Sequence, residues 1–242
     1  MKGKINDWSF YSLGDHAIVF ALAPKMDVLI LQKIKHLNDF FIAKKISGII
    51  DIIPSYHTLT IIYDIEQFLD STETASSQLL SFCNKMITNF ENDLWDQKNS
   101  ESTVYQVPVC YDKSFGIDLE NISLSNQISC DEIIQIHTSN QYDVFSIGFL
   151  PGFTYMGMVN EKIKIARHDK PRKEVPAGSV GIAGLQTGIY PTNSPGGWQI
   201  IGRTPWKIFD PHPNKLAKFK VGDRIQFYAI SKEAFDSLNE YN

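Results

Sequence analysis

Cysteine, excess positive charge and long apolar runs are all scarce in this chain. Only three of its 242 residues are cysteine, Cys83, Cys110 and Cys130. An odd count with no Cys-x-x-Cys pair excludes a disulfide framework and leaves reduced, partly buried thiols. The six histidines are scattered and form no His-Glu-x-x-His pattern, so no metal site is expected. With 23 basic against 27 acidic residues the formal charge is −4, the wrong balance for a nucleic-acid binder. No apolar run approaches the roughly 18–20 residues of a membrane span. The charged start, Met1-Lys2-Gly3-Lys4, is followed by no apolar segment, so no signal peptide is read and a cytoplasmic location is expected. Three familiar catalytic devices are missing as well. No Gly-x-x-x-x-Gly-Lys-[Ser/Thr] loop is present, Gly178, Gly181, Gly184 and Gly188 do not have dinucleotide-fingerprint spacing, and no Gly-x-Ser-x-Gly elbow frames a serine.

What is present is an ordinary globular composition, 43% hydrophobic and 21% charged. The length suits one large domain or two small ones, at about 100–200 residues per domain. Residues 1–95 read as an α+β domain in the order strand, strand, helix, strand, strand, helix. The apolar strand Ile18-Val19-Phe20-Ala21-Leu22 follows a Gly14-Asp15 turn. Pro24 suits the first turn of a helix whose Ile30, Ile34, Leu37 and Phe41 make one buried stripe, stopped at Gly48. Runs 49–53 and 58–63 flank Pro54-Ser55-Tyr56-His57 as two connected strands. A second helix is expected from about Ser71, with Ala75, Leu79, Phe82, Met86 and Phe90 on one face. The polar stretch 96–102 is the expected linker.

From 103 to 242 glycine and proline become dense and strands short, as in a β-barrel or sandwich. One helix is marked there by a capping box, Ser129 with Glu132, ahead of Ile133, Ile134 and Ile136, and Asn140 can end it. Val221-Gly222-Asp223-Arg224 is a turn feeding the strand 225–230.

Glycine, proline and aromatics cluster twice. The first cluster is Gly148-Phe149-Leu150-Pro151-Gly152-Phe153-Thr154-Tyr155; the second runs from Pro171 to Pro205. Turn-dense segments that also carry Gln, Tyr, Ser, Trp and Arg suit a pocket built of loops on a rigid barrel, and they serve equally as plain turns. On the pocket reading, bare amides at Gly196 and Gly197 cradle an oxyanion, and Arg203 clamps a carboxylate. Phe149, Phe153, Tyr155, Tyr190 and Trp198 then supply apolar walls. His137 reads either as a cation at a helix C-terminus or as an acid/base. The basic run 162–173 reads as a solvated loop.

The same residues carry a family pattern. Pro171-Arg172, Val175-Pro-Ala-Gly-Ser-Val-Gly-Ile-Ala-Gly184, Gln186-Thr-Gly-Ile-Tyr-Pro191 and Ser194-Pro-Gly-Gly-Trp198 through Gly202-Arg-Thr-Pro205 resemble the family of B-type 5-oxoprolinase subunits. That family is also labelled allophanate hydrolase subunit 1 and KipI-type kinase inhibitor. Gly148-Phe-x-Pro-Gly-Phe-x-Tyr155, His137, Tyr142, Gly14-Asp15 and Gly48-Ile-x-Asp-Ile-x-Pro-Ser-Tyr56 fit it too. Ala166-Arg167 stands where members often carry Pro-Arg, and Lys170 and Glu174 also depart from the pattern.

The resemblance implies an N-terminal DCoH-like ββαββα domain and a C-terminal cyclophilin-like β-barrel, an architectural likeness that carries no isomerase activity. It implies one subunit of a multi-subunit, ATP-dependent 5-oxoprolinase that opens the 5-oxoproline lactam to L-glutamate. ATP is then handled through the complex with the other 5-oxoprolinase subunits, of the A type and of the C type (allophanate hydrolase subunit 2 type). Phosphorylation of the lactam carbonyl makes it a better electrophile, and aimed donors stabilise the oxyanion. On this reading Arg203 takes the substrate carboxylate and Gly196 and Gly197 the oxyanion. His137, Gln186 and Tyr190 are the polar or acid/base groups, and Phe149, Phe153, Tyr155, Arg172, Ser194 and Trp198 complete the binding set. Two alternatives stay open: a binding protein inhibiting a sensor histidine kinase through exposed Phe149, Phe153 and Trp198, and a carboxyltransferase-type subunit of urea or allophanate metabolism.

Overall fold

A computed structural model of the chain describes residues 2–5, 7–68, 104–212 and 216–239, with positions 77, 78, 80, 81, 84, 87 and 88 between. It divides into two compact units, Met1–Glu101 and Ser102–Asn242. The expected linker 96–102 lies outside the described residues, as do Ala75, Leu79, Phe82, Met86 and Phe90.

The first unit is a five-stranded antiparallel sheet covered by a helix. Strands β1 (Lys2–Ile5), β2 (Trp8–Ser12), β3 (Ala17–Ala21), β4 (Ile49–Ser55) and β5 (Thr58–Tyr63) lie in the order β1-β2-β3-β5-β4. Three strands therefore precede helix α1 (Val28–Lys44), one more than the sequence pattern predicts. β1 escapes that pattern because Lys2-Gly3-Lys4-Ile5 has no apolar alternation; its backbone pairing to β2 makes it a strand. Asp27 caps α1 by accepting from the Leu29 and Ile30 amides, so Pro24 stands outside the helix it was expected to open. The stripe Ile30, Ile34, Leu37 and Phe41 is buried as its spacing requires, against Phe20, Leu59, Ile61 and Tyr63 of the sheet. α1 closes on Lys45 in the left-handed region, and Gly48 (φ +83°) follows in the connection to β4. Positions 77–88 are helical wherever they are described, and Ile87 is buried in the same core.

The second unit is a closed seven-strand barrel. Its strands are β6 (Val104–Cys110), β7 (Gln141–Ile147), β8 (Thr154–Gly157), β10 (Ser179–Ala183), β11 (Gln186–Ile189), β13 (Gln199–Arg203) and β14 (Arg224–Ile230). They run β10-β11-β8-β7-β14-β6-β13, and β13 returns to β10 to close the ring. All neighbours are antiparallel except β6 and β14, which lie parallel from Val104↔Arg224 to Cys110↔Ile230. Two short strands, β9 (Arg172–Val175) and β12 (Ser194–Gly196), pair as a separate flap. Helices α2 (Leu119–Asn126), α3 (Cys130–Ser139) and α4 (Lys232–Leu238) complete the unit. α3 starts on Ser129, whose hydroxyl accepts from the Glu132 amide, and ends at Asn140. The fold is thus α+β with a barrel.

Strand alternation gives the barrel two cores. Val180, Ile182, Ile189, Met156 and Ile201 join a main core with residues of α2 and α3. Ala183, Tyr190 and Ile200 turn to the other face of the wall and join Phe153, Val175 and Trp198 in a smaller one.

Candidate functional site

The smaller core is where the two glycine-rich segments meet. Trp198, just ahead of β13, lies flat on the wall because two glycines face each other beneath it. Gly181 of β10 pairs with Gly188 of β11. A Cβ on Gly188 would come within 2.9 Å of the indole Cζ3, and one on Gly181 within 3.1 Å of the Trp198 Cβ. Phe153 packs edge-on to Trp198 (ring centroids 5.4 Å apart) and to Tyr190 (4.9 Å), with Tyr155 4.6 Å from Phe153. The Tyr190 hydroxyl bonds the Trp198 backbone amide and fills the space a Cβ on Gly196 would take. Burial pushes the Tyr190 and Tyr155 phenols above their ordinary value, while the nearby Arg167 guanidinium opposes that rise at both.

A buried carboxylate fastens the flap over this cluster. Asp118, only 4% exposed, occupies the N-cap position of α2 but makes no cap bond to that helix. One oxygen accepts from the Ile200 amide at 2.6 Å, and the other accepts from Arg172 Nη2 at 2.5 Å. His168 Nε2 stands 3.3 Å from that second oxygen, without a well-formed hydrogen bond. The His168 amide donates to the Gly197 carbonyl, and Arg172 Nη1 reaches the Trp198 carbonyl at 3.5 Å. The basic run is therefore anchored at His168 and Arg172, which corrects its reading as a solvated loop. Asp118 and His168 went unnoticed in the sequence because nothing local marks a partner 50 or more residues away. Arg167 differs from both: it is exposed, and its guanidinium carbon lies 5.8 Å from the centre of the Trp198 ring. Ser194 is buried in the flap, its hydroxyl without a partner.

Other expected site residues lie elsewhere. Gln186 begins β11, about 13 Å from Tyr190 at the ordinary strand rise. Arg203 ends β13, about 16 Å along the strand from Trp198. Its Nε donates to the Ala177 carbonyl at 2.7 Å, and its guanidinium carbon lies 5.9 Å from both the Phe115 and Phe235 rings. The expectation that Arg203 and Trp198 converge on one concavity is not met.

His137 is overturned both as a cation and as an acid/base. It is fully buried in the main core, stacked on Phe227 at 4.6 Å. The Thr187 hydroxyl donates to the Gly181 carbonyl, so it accepts from His137 Nε2–H at 2.9 Å. Nδ1 in turn accepts from the Tyr111 hydroxyl at 2.8 Å. Both nitrogens are used by the neutral ring, and burial lowers its pKa to about 3. Phe153 and Trp198, expected as exposed docking faces, are also sealed in, because each fills space left by glycine. Phe149 alone of the three is open, 77% exposed and held at φ +69°. Among the described residues no group of three or more His, Cys, Asp or Glu side chains is placed to hold a metal, and no helix is long and apolar enough to cross a membrane.

A closed barrel carrying an aromatic patch beneath a pinned flap, preceded in the chain by a separate α+β unit, defines a class that the comparisons make specific. The chain matches the family of the carboxyltransferase domain, subdomain C and D, over residues 8–219. It is 33% identical to the B-type 5-oxoprolinase subunit of Bacillus subtilis, covering 94% of this chain and 95% of that one. It is 30% identical to the protein of the same name from Escherichia coli O157:H7, covering 90% and 94%. The crystal structure of TTHA0988 superposes with a TM-score of 0.75 at 26% identity over 89% of this chain, which spans only 40% of that longer protein. The chain belongs to the family of B-type 5-oxoprolinase subunits, within the wider carboxyltransferase-domain family.

Proposed function

We propose that this chain is one subunit of an ATP-dependent 5-oxoprolinase that opens the lactam of 5-oxoproline to L-glutamate. The observation that carries the reading is the end-to-end correspondence with relatives named as B-type subunits of 5-oxoprolinase, 94% of this chain on 95% of the Bacillus subtilis protein. The site's chemistry agrees. A small cyclic amide with one carboxylate calls for an apolar platform and one cation free to pair. Half-buried Tyr155 supplies the platform, with the buried Trp198 indole packed 5.8 Å from it. Arg172 is committed to Asp118 and Arg203 to Ala177. Arg167 carries no such commitment and takes the carboxylate in place of Arg203. Gly196, Gly197, Ser194 and Tyr190 frame the flap behind it, with Arg172 fixing its position.

The described residues do not fit a nucleotide at this patch. Phe153, Tyr190 and Trp198 are already packed against one another, leaving no slot for a purine, and the chain has no phosphate loop. ATP is therefore assigned to the assembled complex with the A-type and C-type partners.

Co-expression with the products of the neighbouring genes tests the reading. Glutamate should form from 5-oxoproline only when all subunits and ATP are present. No turnover by the full set would end it. One observation favours a second reading, a kinase-binding protein: Phe149 projects from its turn into solvent. Tight binding to a histidine-kinase dimerisation domain that is lost in Phe149→Ala, with no glutamate formed, would establish that reading instead.

A further inference from the structure

Among the described residues the N-terminal unit carries an exposed apolar surface. The last turns of α1 and the start of β4 line a cavity of about 220 Å³, with Phe41, Ile46 and Ile52 in its wall. An apolar cavity of about 150 Å³ is enough to take up benzene, so this one has room for an aliphatic side chain. Ile42 and Ile50, 56% and 67% exposed, line it as well. Two exposed charges of opposite sign, Lys45 and Asp51, complete its lining.

Strand addition is not what this surface is built for, although β4 is the sheet edge. The register Ser55↔Thr58, Ile53↔Thr60 and Asp51↔Ile62 turns the amides of those β4 residues toward β5, and positions 52 and 54 face outward. The Ile52 amide is already taken by the Asp51 carboxylate at 2.8 Å, and Pro54 has none to offer. The register also breaks between Ile49 and Asp51, as at a β-bulge. These are the devices that keep an edge from pairing. Contact here must run through side chains.

A hole lined by an exposed aliphatic side chain, with one charge of each sign in the same patch, has the parts a two-fold contact between identical surfaces uses. We propose that this face is the interface between two copies of this chain. Ile50 of each copy enters the other's cavity, and Lys45 of each pairs with the partner's Asp51. The apolar contact supplies affinity and the two ion pairs fix the register.

Sedimentation equilibrium of the full chain, from low micromolar to near-millimolar concentration, tests this. The wild type should pass from monomer to dimer. Ile50→Arg removes that aliphatic side chain and should weaken the dimer by about thirtyfold, the scale of a central anchor. Lys45→Asp alone sets carboxylate against carboxylate at both symmetry-related ends and should weaken it by about tenfold. Adding Asp51→Lys to that variant should restore the dimer, because the pair is then reversed in both copies. A wild type that stays monomeric throughout, a dimer indifferent to Ile50→Arg, or a double variant no tighter than Lys45→Asp would each overturn the proposal. All these positions are exposed, so the circular dichroism of each variant should match the parent.

Discussion

Arginines decide how the barrel patch works, because each of three is committed differently. Arg172 is bound to a buried carboxylate, Arg203 to a carbonyl beside a packed pair of aromatic rings, and Arg167 lies open near Trp198. Loss of the first two should act on the fold; on the proposed function, loss of the third should act on the ligand. In the assembled complex Arg167→Gln should raise KM for 5-oxoproline by at least about tenfold, the scale of one charge-assisted contact, with kcat far less changed. Arg203→Gln should lower the melting temperature and leave KM near the parent value. Initial-rate kinetics beside thermal unfolding separates the two.

His137 makes the second residue-scale prediction. Its folded pKa is depressed to about 3 from an ordinary 6.5. Between those values the unfolded chain binds a proton that the folded chain refuses, so stability is full above 6.5 and falls as pH drops toward about 3. The slope is about 1.4 kcal/mol per pH unit within that window. Urea titrations at a series of pH values should show it. His137→Gln, whatever its stability at neutral pH, should lose that component of the slope. A slope equal in parent and variant would show that the ring is not held neutral.

At the scale of elements the flap is the part held by the fewest fasteners. Among the described residues β9 and β12 pair only with each other, and Asp118 at the start of α2 joins that strand pair to β13 through Arg172 and the Ile200 amide. Asp118→Ala leaves a half-buried guanidinium and a buried amide without their acceptor. That should cost about 3 kcal/mol and free the loop 165–175. Hydrogen exchange should rise there and stay slow in β7 and β14.

Local chemistry is what the sequence exposes at this scale. The α1 stripe and the Ser129 cap were legible because their partners lie three or four residues away. The bond from Asp118 to Arg172 spans 54 residues and the contact between His137 and Thr187 spans 50. Neither leaves a local trace. The glycine-rich runs were visible as unusual, but not their purpose. Gly181 and Gly188 are spaces for an indole, so Phe153, Tyr190 and Trp198, read as an open wall, turned out to be packing, while Phe149 stays exposed.

For the molecule as a whole, the separation of cores matters most. Trp8, Phe20, Leu37 and Tyr63 belong to one cluster inside Met1–Glu101; Val109, Tyr142, Ile182 and Phe227 belong to another inside Ser102–Asn242. Among the described residues no buried side chain belongs to both clusters, so the two units need not melt together. Calorimetry should resolve two transitions, and His137 labels one of them. Lowering the pH from neutrality should move the barrel transition down, through the proton its folded form refuses. The N-terminal unit has a weaker source of the same effect: burial, aided by Lys35, lowers the pKa of half-buried His36. Its transition should move less. In His137→Gln the barrel transition should lose most of its pH shift and the other should keep its own. A single transition that shifts as a whole in both proteins would show that the two cores unfold as one.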